Sequence, residues 1–150
     1  MTTALTVQIR RLSSAEGLGL PAYMTPGAVG MDLHAAVLDD VVIDPGDIVL
    51  VPTGLEVAIP DGFEGQVRPR SGLAVRHGIS LPNTPATIDA DYRGEIRVPL
   101  INLGRETFRV SRGMRIAQFV VAPVMRVTWD EVEALPATGR GGKGFGHSGV

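Results

Sequence analysis

Residues 83–96, NTPATIDADYRGEI, gather on one short stretch the residue types that could do chemistry. Asp89 follows the β-branched pair Thr87 and Ile88, which predicts an extended arm bearing a carboxylate. DYRG then reads as a type I turn, with Asp91 first and Gly94 last, and residues 95–100 carry the chain back. Turn formation accounts for Asp91 but not for Asp89. A carboxylate on a hairpin arm, beside Tyr92 and facing a cleft, is a candidate general base. By itself the segment fits a solvated strand-face aspartate more simply.

Three other stretches carry polar groups that need an explanation. In RPRSGLA, residues 68–74, Arg70 precedes a predicted helix with Ser71 as N-cap, Gly72 as first residue and Gly78 as the C-terminal stop. Free N–H groups, a hydroxyl and a guanidinium converging there would suit a phosphate. An ordinary capped helix beside a surface arginine fits equally well. In PGAVGMDLHAA, residues 26–36, Asp32 lies between apolar neighbours and must be satisfied by an arginine or by waters around a cation. In RGMRIAQFVVAPV, residues 112–124, Gln118 is the polar interruption of a buried strand and reads first as a hydrogen-bonded core amide.

The elements that position these groups are short. Nineteen glycines and eleven prolines leave few windows for a long helix. Extended segments are expected at residues 6–12, 41–43, 48–51, 55–59, 65–68, 87–90, 95–101, 107–110, 115–124 and 126–131, with turn signals between them. That spacing predicts an all-β sandwich or barrel with one short helix at residues 72–77. The tail, TGRGGKGFGHSGV, is glycine-rich and expected to be flexible, although Phe145 and His147 are odd residues for a purely solvating terminus.

At 150 residues the chain is long enough for one domain with a sizeable core. A net charge of −2 argues against a general binder of nucleic acid or membrane surfaces. Cysteine is absent, which removes thiolate nucleophiles and the Cys-containing zinc site of a nucleobase deaminase. His34, His77 and His147 are too scattered to suggest a metal cluster. No apolar run approaches membrane-spanning length and the N-terminus lacks a signal-peptide shape, so a cytoplasmic location is expected. Of the fourteen basic residues only Lys143 is a lysine, and the arginine fork suits phosphate oxygens, though compositional bias explains most of these positions.

Five segments, AVGMDL, RPRSGLA, NTPATIDADYRGEI, RGMRIAQ and RGGKGFGHSG, resemble in identity and order the five motifs of the trimeric dUTPase family. The resemblance implies a jelly-roll-like β subunit over residues 1–136, a C-terminal arm over residues 137–150 that completes the active site, and a homotrimer with active sites at subunit boundaries. It further implies hydrolysis of dUTP to dUMP and pyrophosphate with Mg²⁺, by attack of water on the α-phosphorus, which supplies the dTMP precursor and keeps uracil out of DNA.

Residue by residue, Asp89 resembles the base that activates the water, and Tyr92 the ring that packs on deoxyribose and disfavours a ribose hydroxyl. Asn83 matches the uracil-binding asparagine, with backbone of Thr87, Ile88 and Arg97 around the base. Arg70, Ser71 and Gly72 match the phosphate-binding motif, and Asp32 and Gln118 match residues near the triphosphate and its magnesium waters. In the tail, Arg140 would meet the γ-phosphate, Phe145 would stack on uracil, and Gly146, His147 and Ser148 would close over the phosphates. Pro82 and Ala86 stand where an aliphatic residue and a glycine are frequent, and His147 where a small hydroxyl residue is. A dCTP deaminase resembles the same fold and some of the motifs, and a non-catalytic nucleotide-binding module is a rival of another class. Ammonia release from dCTP separates the first. A water-activating carboxylate is superfluous in the second.

Overall fold

Alternation of apolar and polar residues sets the architecture. In the computed structural model, which describes residues 4–146 and 148–149, β1 (Gln8–Arg11) leads into a 3₁₀ turn (Ser13–Ala15), followed by β2 (Met31–His34), β3 (Val41–Ile43), β4 (Ile48–Ala58) and β5 (Phe63–Arg68). Helix α1 (Ser71–His77) comes next, then β6 (Ile79–Ser80), β7 (Ala86–Ile88), β8 (Glu95–Asn102), β9 (Phe108–Val110) and β10 (Arg115–Pro123). The strands form two four-stranded sheets, ordered β1-β4-β8-β6 and β2-β10-β5-β7, and a ribbon of β3 with β9. Every pairing is antiparallel. This is the expected all-β, jelly-roll-like fold with one short helix.

A single core draws on both sheets and the ribbon. Val51, Val57, Val98 and Leu100 come from one sheet, Leu33, Val67 and Phe119 from the other, and Ile43 and Val110 from the ribbon. Each large apolar side chain taken out of water there contributes on the order of 1.5–3 kcal/mol. On β8 the period of two is strict: Ile96, Val98, Leu100 and Asn102 are buried, so Glu95, Arg97 and Pro99 share the outer face. Asn102 is tolerated inside because its amide donates to the carbonyls of Ile43 and Glu106 at 2.9 and 2.8 Å and accepts from the Gly104 N–H.

Four local expectations are corrected. Residues 48–51 and 55–59 are not two strands but one, β4, whose pairing with β8 shifts register between Pro52 and Glu56. The bulge absorbs the proline, and Gly54 takes φ 65° there, with the Ala15 side chain so close that a Cβ would meet it. The N-cap of α1 is Arg70 and not Ser71; Arg70 is held extended with its side chain turned to Asp32, and Ser71 becomes the first helical residue. The hydrogen-bonded turn after β7 runs from Asp89 to Tyr92, closed by the Tyr92 N–H on the Asp89 carbonyl at 3.1 Å, rather than from Asp91 to Gly94. It begins earlier because the pairing of β7 with β5 ends at Ile88.

Residues 126–131, expected as a strand, form none and leave Val127 and Trp129 exposed, since no strand edge among the described residues pairs with them. β2, the short β6 and the 3₁₀ turn have no counterpart among the expected extended segments and helix. Among the described residues no helix is long and apolar enough to cross a membrane.

Candidate active site

The predicted hairpin forms one wall of a cleft of about 310 Å³. Asn83, Thr87, Ile88, Asp89 and Tyr92 line it from the hairpin, and Glu95, Arg97 and Pro99 enter from the outer face of β8. Leu50 of β4 closes the floor, directly opposite Pro99 in register. Asp89 and Tyr92 are both exposed to solvent, and the Tyr92 hydroxyl donates to the Glu95 carbonyl at 2.9 Å. The Arg97 guanidinium is paired with Glu95 at 2.9 Å. A larger groove of about 490 Å³ lies elsewhere, lined by Leu5, Leu20, Tyr23, Phe63 and Phe119 among others, and none of its lining residues is charged. Of these two the hairpin cleft is the one with charged lining, and a neighbouring groove of about 530 Å³ shares Thr87 and Asp89 with it and adds Asp61, Glu64, Asp91 and Arg126.

Arg70, Asp32 and Gln118 meet at a different place. Gln118 of β10 stands in register with Asp32 of β2 on one side and Arg68 of β5 on the other. Asp32 is half-buried and takes Arg70 Nε on Oδ1 at 2.9 Å and Arg115 Nη1 on Oδ2 at 3.4 Å. Gln118 Nε2 donates to the Pro69 carbonyl at 2.9 Å. One carboxylate thus orders two guanidiniums and leaves a surplus positive charge beside exposed Ser71 and Gly72. That arrangement suits an anion with several oxygens. Arg115 was not among the predicted residues; its signal is the RGMR segment, where it stands three residues before Gln118.

These two clusters do not meet within one chain. Asp89 lies one step beyond the Gly65–Ile88 pair, alongside Glu64, whereas Arg70 lies beyond the other end of β5. Six steps of extended chain run from Glu64 to Arg70, which at ~3.3 Å each is roughly 20 Å. No predicted phosphate-binding residue lines the hairpin cleft.

The tail stands apart as well. Its described side chains are largely exposed, Phe145 wholly so, and the hydrogen bonds described within residues 138–149 stay inside that segment, such as Arg140 Nε to the Lys143 carbonyl at 2.8 Å. Arg140, Phe145, Gly146 and Ser148 therefore reach neither cluster in this conformation, and His147 lies outside the described residues.

Among the described residues no group of three or more His, Asp or Glu side chains could hold a metal ion. Asp32, with an arginine on each oxygen, has no bare face for direct ligation but keeps lone pairs for a water. The donor set fits a cation carried by a ligand better than one caged by protein.

Glu95 reads in the sequence as no more than a strand residue, although its place two before Arg97 puts both on one strand face. Leu50 had no such signal, because only the register of β4 on β8 brings it to the cleft.

Comparison with known proteins gives a consistent picture. The dUTPase family profile matches residues 18–149. The chain is 59% identical over 135 residues to the deoxyuridine 5'-triphosphate nucleotidohydrolase of Desulfotalea psychrophila, covering 90% of each chain. It is 54% identical over 145 residues to that of Wolbachia pipientis wMel, covering 95% of each. Among solved structures, the Staphylococcus bacteriophage 80alpha dUTPase with dUPNHPP superposes with a TM-score of 0.87 at 26% identity, over 98% of this chain and 100% of that one.

Proposed function

The chain belongs to the dUTPase family and is a dUTP diphosphatase, and from that premise we propose that Asp89 activates the attacking water in a site that two or more protomers build together. The observation that carries this reading is the hairpin cleft, in which a solvent-facing carboxylate sits beside a base-sized recess lined by Asn83, Thr87, Ile88, Tyr92 and Arg97. Water attacks the α-phosphorus, its proton passes to Asp89, and pyrophosphate leaves from dUMP. Removing dUTP in this way supplies the dTMP precursor and keeps uracil out of DNA. We place the reaction in the cytoplasm.

Charge accumulates on the phosphate oxygens in that step, and Arg70 with Ser71, Gly72 and Gln118 receives it. Mg²⁺ would supply further neutralisation, held mainly by the triphosphate, with Asp32 reaching it through water. The separation of roughly 20 Å along β5 supports a homotrimer in which Asp89 of one protomer faces Arg70 of a neighbour. The exposed apolar side chains of Met125, Val127 and Trp129, which find no strand edge among the described residues, support association as well. Residues 137–150 act as an arm added to the β domain of residues 1–136. On closure Arg140 meets the γ-phosphate, Phe145 stacks on uracil for about 1–3 kcal/mol, and Gly146, His147 and Ser148 cover the phosphates.

Uracil is chosen by a backbone hairpin that pairs with its edge and by a wall too close for the methyl group of thymine. Cytosine presents a donor where uracil presents an acceptor, which leaves a polar pair unsatisfied. Pyrophosphate release with magnesium should be strong for dUTP and weak for dTTP and dCTP. Comparable cleavage of all three would refute this pocket, and ammonia release from dCTP would point to deamination instead.

A further inference from the structure

Glu95 makes more ties at the cleft than any other side chain there. Oε1 accepts the Gly54 N–H at 2.8 Å, which anchors the residue to the β4 bulge, and Oε2 accepts Arg97 Nε at 2.9 Å. Its backbone carbonyl accepts the Tyr92 hydroxyl at 2.9 Å. The Tyr92 ring lies so near Gly94 that a Cβ on that residue would collide with the hydroxyl oxygen, so the ring is pressed onto the turn it belongs to.

The carboxylate is 13% exposed, against 58% for the guanidinium side chain of Arg97 that it holds. Glu56 stands directly opposite Glu95 in the β4–β8 ladder, an arrangement of like charges that would push the strands apart. Each glutamate has its own arginine, Arg10 on Glu56 at 2.7 Å and Arg97 on Glu95. Such a pairing on an edge of a binding cleft fixes side chains that would otherwise sweep through it.

We propose that Glu95 is a positioning residue that sets the sugar selectivity of the cleft, its side chain pinned to the β4 bulge and its carbonyl holding the Tyr92 ring in place. This rests on the reading in which Tyr92 packs against the deoxyribose. A ring held rigidly leaves no room for a 2'-hydroxyl, whereas a ring free to tilt makes that room. The pairing with Arg97 fixes where that long cation lies along the recess it lines.

The test compares kcat and KM for dUTP and UTP, read by pyrophosphate release, in the native protein, Glu95→Gln, Glu95→Ala, Tyr92→Phe and the Glu95→Ala/Tyr92→Phe double variant. Glu95→Ala should lower the dUTP-over-UTP ratio of kcat/KM by about tenfold, chiefly through a lower KM for UTP, with kcat for dUTP little changed. Tyr92→Phe removes the hydroxyl bond to the Glu95 carbonyl, and Glu95→Ala removes the side-chain anchor of the residue that presents that carbonyl. Because both act on the same ring, their effects should be less than additive and the double variant about as selective as the less selective single. Glu95→Gln keeps an acceptor for the Gly54 N–H and should restore most of the selectivity.

A native ratio in Glu95→Ala, or a fall in kcat alone, overturns the role. If Glu95→Ala fails to fold, Tyr92→Phe decides, because it removes only an exposed hydroxyl bond: a lowered ratio supports the tie and an unchanged one overturns it. A native protein that releases no pyrophosphate from dUTP overturns the underlying reading and this role with it. A native protein selective for dUTP whose variants stay equally selective overturns the role alone.

Discussion

Asp89 stands where β7 ends and the chain turns, with its backbone carbonyl engaged by the Tyr92 N–H and its carboxylate left to solvent. A side chain so placed contributes little to folding, so its replacement tests chemistry with minimal structural cost. Asp89→Asn should lower kcat by roughly 10²–10⁴-fold, the usual worth of a general base, while the thermal midpoint stays near native. Turnover within a few-fold of native in that variant would remove Asp89 from the role. Asp32 is the contrasting carboxylate. Both of its oxygens are occupied by guanidiniums, which makes it an organiser of positive charge rather than a proton acceptor. The sequence offered arginine pairing and cation waters for Asp32; the structure contains the arginine pairing, which leaves lone pairs for the waters.

At the level of elements, the cleft depends on β8, whose period of two sends Ile96, Val98 and Leu100 inward and Glu95, Arg97 and Pro99 toward the cleft. The tail contributes by a different principle. Five glycines between residues 139 and 146 make ordering costly, and the described part of the segment bonds only to itself. On the proposed closure, the free energy that orders it would come from its interactions with the bound triphosphate. Removal of residues 140–150 should reduce kcat/KM for dUTP by about 10²-fold or more, on the scale of lost closure and charge stabilisation, and leave the denaturation midpoint unchanged. A truncated protein with full activity would mean the tail takes no part in the reaction.

For the whole molecule, the decisive geometry is the distance along β5. A site that needs Asp89 and Arg70 together cannot form from one copy when roughly 20 Å of strand lies between them. Subunit mixing tests this directly. Asp89→Asn and Arg70→Ala should each be nearly inactive alone. After denaturation, mixing at equal amounts and refolding, a site that takes Asp89 from one variant and Arg70 from the other is intact. Random assembly makes that roughly a quarter of sites, one half times one half. Recovered activity near that fraction supports shared sites, and its absence after demonstrated subunit exchange would place the whole site in one protomer.

Much of the fold was legible because it rests on local rules. Short alternating runs punctuated by Gly and Pro located eight of the ten strands to within a few residues, and motif order by itself carried the family. Glu95 and Arg97 could have been placed on one face from period two alone. What local rules could not supply was anything set by pairing between distant segments: the bulge that joins residues 48–58 into one strand, the Asp32 carboxylate shared by Arg70 and Arg115, Leu50 beneath the cleft, and the absence of a strand at residues 126–131. Those outcomes depend on which edge a segment finds and in which register. Hydrogen bonds and burial between remote parts of the chain decide that, and no window of sequence contains both partners.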